Sequence, residues 1–356
     1  MMTFDKRQTN IAKGVAVLLL LWHHLFYNDP KNYGKFISIL KIDNVPIECV
    51  IAGSCKVCVA IFLLLSGYGL YRSYQNFCNE TIGNNRIAVK KDFKFVWNHW
   101  IKMMSGYWFI YIIFVPMGMF FGRSFLTYYG LNPIYYLTEF LGLTYLFFEY
   151  NAIFNATWWF MSVIIVLYII FPLLHKLLTW QSEITLSLSI LFMFVNIPFL
   201  HDINYWFAPF VFGMYISKHN LFSKILTLCD TLLKRISLSI LLIVVSLYIR
   251  IAFLKNAVYF DAFFAFAIIL FSYMVLSNIP KLSKSFEILG KHSANIFMFH
   301  TFIYSYYFKS IIYTPKYSLL IYILMVLVCL FISLGLEYLK KITCYNKLFL
   351  KLRFSV

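Results

Sequence analysis

Two adjacent histidines, His23 and His24, stand near the end of the first apolar run, Asn10 to Leu25, NIAKGVAVLLLLWHHL. An imidazole exchanges protons near neutral pH, which suits it to act as a general base. An ionisable group inside hydrocarbon is costly, and is by default a functional-site candidate. Lys13 opens the same run, eleven residues before His24. In a helix that spacing separates them by roughly 16 Å along the axis. Neighbouring residues project about 100° apart, so at most one of the two histidines faces a given substrate. The alternative is that one or both pack as satisfied polar groups in the outer aromatic belt.

Other polar groups in apolar runs are few. His300 lies within the run 292–309 and is either a packing residue or part of a catalytic chamber. Arg250 and Asp261 fall at similar depth on either side of a short turn. Their expected role is a buried ion pair that orders the helices, with binding of a substrate as the lesser reading. Seven cysteines are scattered along the chain, and the C-x-x-C of Cys55 and Cys58 sits inside an apolar run. Such thiols read as small packing residues rather than a redox pair, and no metal site is expected.

The elements that must position these residues follow from composition. Of 356 residues, 62% are hydrophobic and 13% charged. Soluble domains carry about a quarter charged residues and lack repeated apolar runs of about twenty. The fold class is therefore all-α, a polytopic membrane protein. A β-barrel would show alternating segments of about ten residues instead. The net charge of +17 resides in short loops between runs, as cytoplasmic loops do, so nucleic acid is not the expected partner. No cleavable signal is expected, because the first run lacks a small-residue cleavage site.

Clear runs fall at about 11–27, 49–71, 103–121, 157–175, 184–200, 204–217, 236–254, 259–279, 292–309 and 317–339. The stretch KKDFKFVWNHWIKMM before the third reads as an interfacial helix. The segment 134–149 is shorter and carries Glu139 and Glu149. If it does not span, the basic loops 72–102, 218–235 and 280–291 and the tail from 340 all face inside with the N-terminus. About ten transmembrane helices are thus expected, with both termini cytoplasmic and 134–149 as one outer-side non-spanning segment. Residues 1–356 are expected to form a single domain, since no extramembrane stretch is long enough for another. His23, His24 and His300 then lie in the outer half, and Lys13 and Arg72 at the inner face.

Four stretches, in order, resemble the acyltransferase-3 family of membrane O-acyltransferases. The first is KGVAVLLLLWHH, similar to the family's R-G-[IL]-A, aliphatic stretch and H or HH. The others are FLLLSGYGLYRS (62–73), WWFMSVIIVLYIIFPLL (158–174) and LGKHSANIFMFHTFI (289–303). The resemblance implies transfer of an acyl group, commonly acetyl, from cytoplasmic acyl-CoA to a hydroxyl on an extracytoplasmic or lipid-linked carbohydrate. It implies acetyl-CoA as donor with no permanently bound cofactor, and a multi-pass place in a bacterial cytoplasmic membrane.

The family's essential first-helix histidine corresponds to His24, with His23 and His300 as supporting residues. Lys13 stands where the family has Arg, keeping the charge but losing the planar fork that grips phosphate. Arg72 and Lys13 are the expected acyl-CoA contacts, with an ordinary positive-inside anchor as the alternative for Arg72. Glu139, Trp158, Trp159, Arg250 and Asp261 are acceptor-side candidates, though an aromatic belt also explains both tryptophans. From another functional class, a transporter or flippase for a glycan or lipid-linked sugar is the alternative. It lacks the inverted halves and paired Gly/Pro-broken segments that many transporters show.

Overall fold

A computed structural model describes residues 4–27, 36–38, 40–42, 44–80, 88–148, 153–195 and 203–353. The chain is a helical, multi-pass membrane protein. Among the described residues, seven helices are long and apolar enough to cross a bilayer. They are Lys6–Phe26, Ile47–Asn79, Lys90–Met117, Trp159–Trp180, Leu232–Ala252, Ala257–Asn278 and Ser318–Ile342. Helices suit this setting because each satisfies its own backbone polar groups without water.

The three remaining apolar runs form shorter or interrupted helices: Ser182–Phe192, Ile203–His219, and Ser293–Thr301 continued by a π-helical segment, Phe302–Tyr307. The run 184–200 extends into residues outside those described. Within 134–149, helices Pro133–Phe140 and Thr144–Phe147 have eight and four residues. At 1.5 Å per residue they are about 12 and 6 Å long, against a hydrocarbon core of about 30 Å. Asn132 caps the first by accepting from the Ile134 amide. Glu149 lies outside the described residues.

Several expectations need correction. The interfacial helix and the run 103–121 are one helix, Ala88–Met117, which ends at Met117 beside Pro116 instead of continuing to 121. The basic loops contain helices Leu221–Leu228 and Pro280–Lys291. Their lysines are interleaved with Leu, Ile and Phe at helical spacing, so charge density marked the location but hid the amphipathic pattern. The fold class is all-α as expected, with one two-residue pairing beside it: Lys41–Ile42 runs antiparallel to Val45–Pro46 around Asn44, whose φ is 64°.

Two compact units are distinguishable. The first comprises Met1–Leu65 and His219–Ile332. Its main contact joins helix Lys6–Phe26 to helix Pro280–Lys291 with almost no side chain between them. A Cβ on Gly14 would lie 2.1 Å from the Phe286 carbonyl oxygen, and one on Gly290 would lie 1.8 Å from that of Asn10. Beside this crossing Arg7 donates to Ser283 Oγ at 3.0 Å and faces Glu287 at 3.7 Å. Phe4 stacks on Phe222, their ring centroids 4.3 Å apart.

The second unit comprises Ser66–Lys218 and Ser333–Val356. Gly67 lets helix Cys58–Glu80 approach the Phe210 carbonyl, which a Cβ there would meet at 2.0 Å. Lys176 pairs with Asp92 at 3.0 Å, and Tyr345 Oη donates to the Ser105 carbonyl at 3.0 Å.

Gly290→Ala forces a methyl into backbone and should cost at least about 1–3 kcal/mol, as overpacking does. A lowered thermal midpoint of the detergent-solubilised protein is the expected outcome. Gly69→Ala is the control, since no described residue lies within 4 Å of a Cβ at that position.

Candidate functional site

The first unit gathers His23, His24 and His300. The ring centroids of His23 and His24 are 5.0 Å apart, and those of His24 and His300 are 4.8 Å apart. His23 is buried and His300 fully so, whereas His24 is half-buried. Each ring is oriented by a different partner. His23 Nδ1 lies 2.7 Å from the Ala52 carbonyl oxygen. A carbonyl only accepts, so this nitrogen carries the proton and clips the ring to helix Ile47–Cys55. His300 Nδ1 lies 3.0 and 2.9 Å from the carbonyls of Ile296 and Phe297, one turn back in its own helix. Its Nε2 is therefore a bare lone pair, buried with no hydrogen-bond partner among the described residues. His24 Nδ1 faces the Tyr304 hydroxyl at 3.4 Å, a group that both donates and accepts. Of the three imidazoles, His24 alone faces a partner that leaves its tautomer open.

Around these rings the second helix is interrupted. Helix Ile47–Cys55 stops, Lys56 and Val57 form a turn, and helix Cys58–Glu80 begins. The exposed Lys56 is within electrostatic reach of His23, His24 and Asp261. Arg250 Nε donates to Asp261 Oδ1 at 2.7 Å, and both side chains are buried. This is the ion pair expected from their depth and spacing. Asp261 Oδ2 is buried without a hydrogen-bond partner among the described residues.

Lys13, half-buried, belongs to the first unit, and Arg72, exposed, to the second. The Arg72 guanidinium donates to Tyr68 Oη at 2.9 Å and lies over that ring. In the second unit Glu139 is buried in a tight polar nest. Its carboxylate accepts from Thr144 Oγ1 at 2.5 Å and the Phe154 amide at 3.3 Å, with Tyr129 Oη at 3.5 Å. Burial pushes its pKa up to about 7, despite those donors and Arg123. Trp158 is buried edge-on to Tyr107 and stacked near Tyr111, so its faces are occupied by protein. Trp159 is half-buried, 5.6 Å from Trp206. Among the described residues no group of three His, Cys, Asp or Glu is disposed to hold a metal ion.

Two neighbours of His24 were missed from sequence. Tyr304 is four residues after His300, the helical spacing that puts two side chains on one face. Lys56 sits between Cys55 and Cys58, and a charge inside an apolar run is a stronger signal than two thiols.

A family model described as an acyltransferase domain, of acyltransferase-3 type, matches residues 8–338. No curated protein and no solved structure matches the chain significantly.

Glu139 gives a pH test. Its folded pKa, about 7, lies above the ordinary 4.5, so the folded state holds the proton more tightly. Its contribution is level below pH 4.5 and falls as pH rises to about 7, by roughly 3 kcal/mol in all. Thermal midpoints across that window should decline for the native protein and less steeply for Glu139→Gln. Separately, Asp261→Ala strands a buried guanidinium and should destabilise by about 3–5 kcal/mol, whereas the double change Arg250→Met/Asp261→Leu costs much less. Chemical denaturation of the two variants distinguishes them.

Proposed function

The chain belongs to the acyltransferase-3 family, and on that premise we propose that it moves an acetyl or similar acyl group from cytoplasmic acyl-CoA to a carbohydrate hydroxyl on the far side of the membrane. Family membership makes it an acyltransferase acting on groups other than amino-acyl ones. The donor, the acceptor and the residue roles are our reading. The observation that carries it is the half-buried His24 ring, set against His300 and Tyr304.

In this reading the acceptor is a glycan or lipid-linked sugar of a bacterial cell envelope. A hydroxyl is a weak nucleophile and needs its proton removed as it attacks the thioester carbonyl. When His24 Nδ1–H donates to Tyr304 Oη, Nε2 is bare and takes that proton. The new C–O bond forms, the C–S bond breaks, and the imidazolium returns the proton to the CoA thiolate. The lone pair on His300 Nε2 favours the transient positive charge on its neighbour. His23, whose Nδ1 is committed to the Ala52 carbonyl, supports the helix rather than the chemistry.

Ten spans with both termini cytoplasmic put the basic segments on the inner side, and Arg72 and Lys13 are each a candidate contact for the CoA phosphates. Glu139 and Trp158, both buried within the second unit, order the outer segment. Arg250 and Asp261 hold two helices together near the histidines. The family match runs through both compact units, which supports treating residues 1–356 as one functional domain. No observation favours the transporter reading.

In membranes supplied with labelled acetyl-CoA, His24→Ala should lower acyl transfer by about 10²–10⁴-fold at unchanged expression, the range that general-base catalysis supplies. His23→Ala should retain substantially more activity. Undiminished transfer by His24→Ala would sink the assignment.

A further inference from the structure

The connection between helices Ala88–Met117 and Trp159–Trp180 has its polarity reversed. Residues 118–148 contain two charged side chains, Arg123 and Glu139, and both are held against protein. Glu139 is buried among its donors. The Arg123 Nε donates to the Phe154 carbonyl at 3.1 Å, and the guanidinium lies over the Tyr128 and Phe154 rings. Large apolar residues face outward instead: Phe120 is 85% exposed and Leu131 88%. Helix Pro133–Phe140 shows the same inversion. Ile134, Leu137 and Phe140, within an arc of about 120°, are exposed, while Thr138 and Glu139 are buried.

The end of this helix closes on protein donors. A helix leaves its last four carbonyls to partners beyond it. Here the Leu137 carbonyl accepts from the Leu141 amide at 3.0 Å, and that of Thr138 from the Leu143 amide at 2.8 Å. The Glu139 carbonyl accepts from the Gly142 amide at 2.9 Å and from Tyr107 Oη at 2.6 Å. The Phe140 carbonyl accepts from Trp108 Nε1 at 2.8 Å. In the flanking turns, Ser162 Oγ donates to the Gly142 carbonyl at 2.7 Å and Tyr136 Oη to the Gly130 carbonyl at 2.6 Å. Hydrocarbon demands such closure, because it offers a carbonyl no donor.

A segment facing water would carry its charges outside and its apolar residues inside. Exposed apolar surface marks a protein or a membrane partner, and continuity decides between them. Both flanking helices cross the bilayer, and their basic ends meet in the Asp92–Lys176 pair. The segment joins their opposite ends, and exposed apolar side chains continue from Ile112 through Met119 to Phe120. We propose that residues 118–148 are immersed in the bilayer as a re-entrant element, with Phe120, Leu131, Ile134 and Leu137 against phospholipid acyl chains. In the ten-span topology those chains belong to the outer leaflet. The inference is independent of the acyltransferase reading.

The test places nitroxide labels on the full chain in phosphatidylcholine nanodiscs. Cys78 and Cys344, the native thiols that are not buried, are changed to serine. Phe120→Cys, Leu131→Cys and Leu137→Cys are then labelled one at a time. Power saturation compares access by oxygen, which concentrates in hydrocarbon, with access by a nickel chelate, which stays in water. Ile169→Cys, exposed on a crossing helix, and Asp230→Cys, in an exposed turn, are the hydrocarbon and water references. All three labels should match Ile169, with relaxation by nickel lost. Nickel access equal to that at Asp230, at any of the three, overturns the proposal. So does exclusion of both probes with spin–spin broadening between copies, which marks a second chain as the cover. The unaltered protein supplies a check free of substitutions. A diazirine at the acyl-chain end of phosphatidylcholine should cross-link residues 118–148 on irradiation. Cross-links from a headgroup diazirine alone overturn the proposal.

Discussion

The reciprocal contact of Gly14 with Phe286 and of Gly290 with Asn10 is the constraint on which the first unit depends. With no side chain between the two backbones, helix Lys6–Phe26 cannot slide or rotate on Pro280–Lys291 without collision. Each glycine precedes a histidine of the cluster by ten residues: Gly14 leads to His24, and Gly290, past a break at His292, to His300. A rise of 1.5 Å and a turn of 100° per residue make such an offset a defined position in space. Interiors are close-packed, so a fixed crossing transmits its geometry along the helices it joins.

The polar groups of the first unit are arranged around that frame in order of cost. Arg250 and Asp261 are buried as partners, since a lone buried charge is the more expensive state. Lys56 occurs where the second helix breaks, and the break lets a charged side chain reach the surface from within an apolar run. His23 and His300 each give a proton to backbone carbonyls. A buried polar group satisfied in this way costs far less than an unpaired one.

Much of this was legible in the sequence, and the reasons divide by distance along the chain. The spacing of Lys13 and His24, the place of His300 within an apolar run and the short separation of Arg250 from Asp261 are local quantities. Period and hydropathy carry them directly. The shortness of 134–149 was legible because length alone bars a helix from crossing. Contacts between Tyr304 and His24, 280 residues apart, or between Tyr313 and Leu25, leave no local trace. The glycines were visible within their motifs, yet only a second backbone at contact distance explains why a side chain is excluded. Residues 280–291 carry the lysines of a loop, yet their apolar positions recur at helical spacing and form a helix.

The close spacing of the histidine cluster limits its capacity for charge. Three rings stand with neighbouring centroids about 5 Å apart. Two positive charges at that separation repel by about 3 kcal/mol at an effective dielectric of 20. The first proton to arrive therefore discourages the second.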